Sequence, residues 1–558
     1  MDRFTMSAPL PFATHEVFNQ TPPLGSVDLW GGDPALVGGV AAFAAPGNSD
    51  VAALAGFGKR WGSAEFFEFG RLANEYPPKL KTHDAKGFRA DVVEFHPAYH
   101  ALMRESVAAG IHCSTWGADG KLAATGAHVV RAARLYMSAE VEQGHQCPIV
   151  MTHAATAALM AEPSLVAEWL PRIRSREYDP SFRPAPEKRG VTLGMGMTEK
   201  QGGSDVRANT TRAEPDGDAW RITGHKWFLS APMCDAFLVL AQAKAGLSCF
   251  LLPRFKPDGS PNAMRLVRLK DKLGNHSNAS SEVEFEGAYA RRCGPEGEGV
   301  KTIIQMVQLT RLDCVIGSLG IMRSALMQAI HHVRHRIVFQ KKLVDQPLMR
   351  AVLADLALER EGSLALGLRL ASAFDHSASS PDEAAFARIV TPAAKLLVCK
   401  SVPGFVYETL ECLGGNGYVE EGPLARLYRE APLNAIWEGS GNIMALDLLR
   451  GAARERDGIE QVLTGLAKSL SDLPHASAAL DRVKAGFSGV DREVQARRTG
   501  ETLALLAATA ALKVSAPAEV AEAFAATRLG GLTARNYGNP LPGALVDRLL
   551  ERAFAHAA

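Results

Sequence analysis

The chain has almost no net charge: 61 Lys and Arg are balanced by 60 Asp and Glu over 558 residues, a formal charge of +1. That balance excludes a global field pulling the protein onto nucleic acid or acidic lipid, so a polyanion site has to be a local patch. No Cys-x-x-Cys pair occurs among the eight cysteines, which excludes the usual zinc cage and the redox dithiol. Diluted along so long a chain, Cys113, Cys147, Cys234, Cys249, Cys293, Cys314, Cys399 and Cys412 read as reduced, mostly buried thiols of the cytoplasm. Met1 to Gln20 has neither the basic start nor the apolar run of a secretory signal. Leu503 to Leu512, read as the most apolar later run, is too short to cross a hydrocarbon layer of about 30 Å. No internal repeat is visible. A soluble cytoplasmic protein without membrane attachment is expected, divided into several domains because single cores rarely exceed about 250–300 residues.

Periodicity supplies the organisation. Residues 1–50 are rich in Pro, Gly and Ala and read as an extended arm lying over the protein or over a neighbouring subunit. From Val51 to about Trp169 the apolar spacing is helical, with one segment opening at Ser63 before Glu65, Phe66, Phe67 and Phe69, and another over Leu122 to Val141. Pro171 and the Pro/Arg-rich stretch to Arg189 mark a boundary. Between Gly190 and about Arg292 the period falls to two. Ala219 to Leu229 reads as two strands joined at Gly224, and Ala236–Ala243 and Leu247 to Pro253 flank a turn at Gly246. Glu282, Glu284 and Glu286 alternate with Val283 and Phe285 on a half-exposed strand.

Helical spacing returns at Gly299. Ile303, Val307, Thr310, Cys314, Gly317 and Ile321 make a face with a narrow seam. Further segments cover Leu348 to Phe374 and Glu383 to Leu413, the latter stopped by Gly414-Gly415, and helices with such faces imply a bundle. Past Gly451 comes an Ala-rich helical tail, with a helix start at Ser515 and Pro517 and an end at Gly530-Gly531. Pattern alone predicts a multidomain α+β protein divided at 1–190, 191–292, 293–450 and 451–558.

One carboxylate stands apart. Glu438 lies in Ile436-Trp437-Glu438-Gly439-Ser440-Gly441-Asn442, between an aromatic residue and a small-residue turn. Buried beside Trp437, it should have a raised pKa because desolvation disfavours its charge, and that suits a base acting on a weakly acidic C–H. Taken alone it could equally cap a helix. Upstream, Gly194-Met195-Gly196-Met197-Thr198-Glu199-Lys200-Gln201-Gly202-Gly203-Ser204-Asp205 combines close-approach glycines with the hydroxyls of Thr198 and Ser204. Met195 and Met197 offer an apolar wall for a flat ring. Trp227-Phe228-Leu229-Ser230 by itself is a strand carrying two aromatics. His331, His332 and His335 lack a carboxylate or Cys at ligand spacing, so no metal site is read there.

Over roughly residues 190–450 these stretches resemble the acyl-CoA dehydrogenase family. The resemblance implies a helical N-terminal domain, a central β-domain and a C-terminal helical bundle, here with an extra C-terminal helical domain. It implies FAD, which takes a hydride from the carbon next to the one that a carboxylate deprotonates, with acyl-CoA as substrate. Some members carry that carboxylate where this chain has Thr310, which leaves Glu438 as the base. The main chain around Met195, Gly196, Met197, Gly202 and Gly203, with Thr198, would hold the isoalloxazine, and Ser204 would lie near the acyl-thioester arm. Phe228, Leu229, Ser230 and Ala231 would meet the ring near N5, where a donor matters because negative charge develops there. Arg336 and Phe339 would contact a neighbouring subunit's cofactor, the Arg pairing with pyrophosphate, although Gln340 replaces the usual Gly. Gly414 and Gly415, in Leu413-Gly414-Gly415-Asn416-Gly417-Tyr418, would pack on the adenosine half across the same boundary. Ile436, Trp437, Gly439, Ser440 and Asn442 are counted with the cofactor site, and Thr198, Ser204 and Arg311 with the acyl-CoA.

The long N-terminal part and the tail go beyond the common members. With Gln146-Cys147-Pro148 and Met151-Thr152, the chain resembles the AidB branch, flavoproteins of the bacterial response to DNA alkylation. That implies a homotetramer (a dimer of dimers) binding duplex DNA through its C-terminal helical domain, and a weak dehydrogenase activity on short branched acyl groups such as isovaleryl. The tail from 451 to 558 holds 13 basic and 12 acidic side chains, so phosphate attraction has to come from clusters. Arg450, Arg454 and Arg456 form one candidate, and Arg492, Arg497 and Arg498 the other. Without a recognition-helix or zinc-finger signature the binding should be sequence-tolerant, strengthened by four copies acting together. Two other readings stay open: a metabolic acyl-CoA dehydrogenase whose added parts stabilise the tetramer, and a redox-silent scaffold that holds FAD without turnover.

Overall fold

Asp33 caps the first helix by accepting from the Leu36 amide at 3.2 Å, and Pro34 occupies its first turn. This helix, α1 (Pro34–Phe43), lies inside the stretch read as an extended arm, a correction with a simple cause. Its sequence is apolar all round, so no polar face marked a period. The structure, a computed structural model, describes residues 14–45, 48–530, 536–538 and 541–554. The start of the N-terminal arm (1–13) and Gly531, one half of the expected helix end, lie outside these residues.

The N-terminal part continues with α2 (Ala53–Trp61), α3 (Ala64–Glu75), α4 (Pro97–Ala108), α5 (Ala127–Val141), α6 (Gln146–Leu159) and α7 (Pro163–Ile173). An antiparallel hairpin, β1 (Lys79–His83) and β2 (Arg89–Glu94), interrupts what periodicity assigned as helical throughout. Its strands are largely solvent-facing and charged, so they lack the apolar alternation that announces a strand. Pro171 sits inside α7, and the boundary falls two residues later.

Seven strands form the central domain: β3 (Leu193–Gly196), β4 (Arg212–Asp216), β5 (Ala219–Ser230), β6 (Ala236–Ala243), β7 (Gly246–Pro253), β8 (Met264–Leu269) and β9 (Ser280–Arg292). Their pairing closes on itself, because β5 pairs with β3, β4 and β9, β9 with β7, β7 with β6, and β6 with β3 and β4. Residues 219–229 are one continuous strand and not two. Gly224 (φ +148°) follows a register shift against β9, and a Cβ there would sit 2.6 Å from Thr211 Oγ1, so close approach requires the glycine, not a turn. The faces of α6 and α7 complete this core, with Ala154 and Trp169 in the same cluster as Phe237 and Leu251.

Three long helices, α8 (Gly299–His335), α9 (Pro347–His376) and α10 (Pro381–Glu411), make the bundle. A two-residue hairpin, β10 (Ile337–Val338) and β11 (Lys341–Lys342), joins the first two. The seam expected on α8 is a minimum, since the helix is buried around most of its circumference. By length and composition α8 and α10 could each cross a bilayer, but 89% and 72% of their most apolar windows are buried inside the protein. They outrank Leu503 to Leu512 as the apolar runs to weigh. Then follow α11 (Gly415–Tyr418), α12 (Pro423–Glu430), α13 (Gly441–Arg454), α14 (Arg456–Ser469), α15 (Ala476–Ser488), α16 (Arg492–Ser515), α17 (Ala518–Phe524) and α18 (Gly543–Ala553). Among the described residues the tail has no core of its own. Leu503, Leu512, Phe524 and Leu549 belong to one apolar cluster with α1, α5 and the bundle, and α16 packs on α9 and α10.

Candidate active site around Glu438

The loop between α12 and α13 turns through two successive left-handed residues, Glu438 (φ +58°) and Gly439 (φ +105°). For glutamate that conformation costs about 1–2 kcal/mol, so surrounding groups must impose it. Lys395, buried on α10, donates to the carbonyls of Asn434 (2.9 Å), Trp437 (2.9 Å) and Gly439 (2.8 Å). From α8, Arg311 Nε donates to the Glu438 carbonyl at 3.2 Å, while its Nη1 pairs with Asp447 at 2.6 Å. Trp437 Nε1 donates to Asn434 Oδ1 at 2.8 Å. Three elements therefore point this one side chain.

The Glu438 carboxylate faces a cavity lined by Cys147, Ser230, Thr310, Asp313, Cys314 and Trp437, among others. Its Oε2 accepts from Thr310 Oγ1 at 2.6 Å. Burial raises its pKa, opposed by the Thr310 hydrogen bond and by the charges of Lys395 and Arg311. Neighbouring Asp313 is also raised by burial, although Arg131 grips it at 2.9 Å and through a second, 2.5 Å contact. Burial pushes the Cys147 thiol up to about 11, so it stays protonated and cannot serve as a nucleophile. Arg131 occupies Asp313, so Glu438 is the carboxylate at the cavity that forms no ion pair among the described residues.

Across it stand the ends of β3 and β5. Phe228 is 46% exposed and Ser230 half-buried on the same face of β5, as a period of two requires. Leu229 therefore points its side chain into the β-domain core, away from the ring it was expected to meet, and so does Met195, which leaves half-buried Met197 of the expected apolar wall. Ala231 (φ +52°) is fully buried with its amide on the Ala279 carbonyl, so it presents nothing to a ligand. In the glycine-rich loop the Gly203 and Ser204 amides and the Thr198 hydroxyl donate to no group of the described residues, and Gly202 (φ +139°) opens the backbone there. Unpaired donors on a glycine turn beside an exposed aromatic face fit a flat ring with polar edges. Glu199, in the middle of that motif, is structural: it pairs with buried Lys226 at 2.7 Å and accepts from the Thr210 and Thr211 amides.

Arg311 does not face a groove for a CoA arm. It is 4% exposed and engaged with Asp447 and Glu438, which makes it a positioning residue for the loop. Ile436 is 63% exposed, and Gly439, Ser440 and Asn442 lie at the start of α13 beside the carboxylate. The second expected cofactor group is remote. Arg336 follows the last residue of α8, about 25 residues or some 38 Å along the helix from Thr310. Its guanidinium donates to the Asn19 carbonyl, while Phe339 (φ +52°) is 89% exposed. Gly414 and Gly415 are exposed in the loop whose Leu413 and Asn416 share a groove with His331 and His332. Arg450, Arg454, Arg456, Arg492, Arg497 and Arg498 are all exposed, and none forms an ion pair among the described residues.

Sequence reasoning missed Lys395, Asp447 and the partnership of Thr310 with Glu438. A signal existed for Lys395: it is the one charged residue between Arg388 and Lys400, in an otherwise apolar run of α10. Nothing local marks Asp447 among other exposed-looking helix residues.

The chain matches the family "Adaptive response protein AidB N-terminal domain" over residues 19–180, "Acyl-CoA dehydrogenase, middle domain" over 194–288 and "Acyl-CoA dehydrogenase, C-terminal domain" over 297–453. It is 52% identical to Escherichia coli AidB over 440 residues, covering 78% of this chain and 80% of that protein. It is 33% identical to the acyl-CoA dehydrogenase family member 11 of Caenorhabditis elegans, covering 76% and 69%. The solved structure of Caenorhabditis elegans ACDH-11 in complex with C11-CoA superposes with a TM-score of 0.81 at 28% identity, over 99% of this chain and 94% of that one.

Proposed function

The chain belongs to the acyl-CoA dehydrogenase family, an FAD-dependent oxidoreductase with the AidB N-terminal domain, and on that premise we propose that it is a flavoprotein of the DNA alkylation response that keeps a working dehydrogenase site. The observation that carries the reading is a carboxylate with a raised pKa and no ion pair among the described residues, fixed by α8 and α10 and facing a cavity opposite a ring cradle. FAD, when bound, supplies the hydride acceptor. Glu438 takes the proton from the carbon next to the thioester carbonyl. Thr310 keeps one carboxylate oxygen in place while that happens, and burial of the cavity keeps water from competing for the proton. The Gly203 and Ser204 amides and the Thr198 hydroxyl would hold the ring edge, with Phe228 as the aromatic beside it. Short branched acyl-CoAs such as isovaleryl-CoA are the substrates we assign. Anaerobic addition of isovaleryl-CoA to FAD-loaded protein should bleach the flavin, and Glu438→Gln should retain FAD without bleaching. Native protein that binds FAD and never bleaches would leave only a redox-silent scaffold.

Duplex DNA is the second partner in this reading, bound without sequence preference by a cytoplasmic homotetramer. Support comes from how the tail arginines sort. Arg528 and Arg552 turn inward to Asp355, Glu359 and Glu361, whereas the six outward ones are exposed and form no ion pair among the described residues. DNA affinity should fall steeply with salt, and Arg497→Glu with Arg498→Glu should weaken it and flatten the salt slope. Absence of binding at low salt would reduce the protein to a metabolic dehydrogenase.

A further inference from the structure

The cavity beside Glu438 continues along α8. Thr310 stands at the carboxylate, Asp313 and Cys314 one turn on, and Gly317 two turns on, about 10 Å along the axis. At Gly317 the wall has no side chain: a Cβ there would meet only Asn434 Nδ2 at 3.6 Å and Gln146 Oε1 at 3.8 Å. Both residues are 6% exposed. Gln146 Nε2 donates to the Leu135 carbonyl at 3.0 Å and to Ser138 Oγ at 2.7 Å; the carbonyl fixes which end of the amide is nitrogen. Its Oε1 accepts no hydrogen bond from the described residues. Gln143, 9% exposed, repeats the arrangement, with Nε2 on the Gly317 carbonyl at 3.0 Å and Oε1 without a donor. Asn434 Nδ2 gives one N–H to Ser318 Oγ at 3.1 Å and has a second to offer.

An unpaired acceptor, Gln146 Oε1, and a spare donor on Asn434, both residues more than nine-tenths buried, thus meet at the gap beside Gly317, in a cavity that Gln143, Val150 and Met151 also line. We infer that this end of the cavity, beyond the reach of a short branched acyl group, is a polar subsite that favours, among longer acyl chains, one that ends in a hydroxyl group. The hydroxyl would donate to Gln146 Oε1 and accept from Asn434 Nδ2. A methyl terminus would leave those groups unpaired, and a carboxylate would meet the Gln146 amide oxygen, which it cannot pair with. An ammonium would be buried uncompensated, because Asp313 is already neutralised by Arg131.

The inference rests on the dehydrogenase reading above, and one titration separates the two. FAD-loaded protein is titrated with ω-hydroxyacyl-CoAs of graded length and with alkyl acyl-CoAs of matching length, reading Kd from the perturbation of flavin absorbance. At one length the hydroxylated chain should bind roughly tenfold more tightly or better. Gln146→Leu should abolish that preference. So should Gly317→Ala, which fills the gap without removing either polar group and serves if the first variant does not fold. Equal affinities at every length, or a preference that survives a folded variant, would overturn the subsite and leave the dehydrogenase reading intact. No perturbation by any acyl-CoA would bring down both.

Discussion

Thr310 Oγ1 donates a 2.6 Å hydrogen bond to Glu438 Oε2, tying the first third of α8 to a loop 128 residues later in the chain. The bond favours the charged carboxylate and so works against the burial that raises its pKa. Thr310→Val removes it at nearly constant volume. The pH at which isovaleryl-CoA begins to bleach the flavin should then move upward relative to the native protein, and Thr310→Ser should move it back. A native-like profile in Thr310→Val would mean that Glu438 is not the titrating base.

Lys395 satisfies three loop carbonyls at once. Lys395→Met leaves all three without a donor in a buried place, a loss of about 3 kcal/mol. Urea unfolding should show the lower midpoint, and gel filtration should show FAD lost more readily than from native protein. Unchanged FAD retention would indicate that the loop is held by Arg311 alone.

Glu430 is buried at the end of α12, accepting from the Asn275 amide at 2.6 Å and from Asn275 Nδ2 at 2.8 Å. Burial and the neighbouring Glu142 charge push its pKa up to about 7. A carboxyl whose folded pKa is raised contributes stability that is complete below its ordinary value of 4.5 and is lost as pH rises through 7. The difference is on the order of 3 kcal/mol. Glu430→Gln should therefore melt higher than native protein at pH 8 and gain little or nothing at pH 5. Parallel Tm curves across that range would refute the assignment.

Gly362 on α9 lies against the tail, where a Cβ would come within 2.2 Å of Phe524 Cε2 on α17. Gly362→Ala should cost about 1–3 kcal/mol through overpacking. Because the tail shares the bundle's core, the loss should lower one cooperative transition, and Phe524→Leu should partly restore it. A separate melting step for residues past 451 would contradict a common core.

Much of this was legible beforehand, for reasons that differ from place to place. The glycine-rich loop and the Glu438 turn could be read because each packs its chemistry into a few consecutive residues. Long helices announced themselves by spacing, although α1 did not, since an all-apolar helix has no period to detect. The hairpin of β1 and β2 was hidden by its charge, and β5 was split at a glycine whose role is close approach to Thr211. On β5 the strand's alternation separates Phe228 and Ser230 from Leu229, yet which of the two faces meets the ligand depends on the core behind it.

Local order along the chain was enough to determine the succession of helices, strands and helices and to single out Glu438 and the glycine-rich loop as candidates. Tertiary structure alone decided what surrounds them: that Arg311 holds the loop, that Lys395 reaches three carbonyls, that the tail merges with the bundle, and that Gln146 and Asn434 meet across Gly317. Hydrogen bonding and desolvation act over a few ångströms in space, and residues more than a hundred positions apart acquire such neighbours only when the helices that carry them pack.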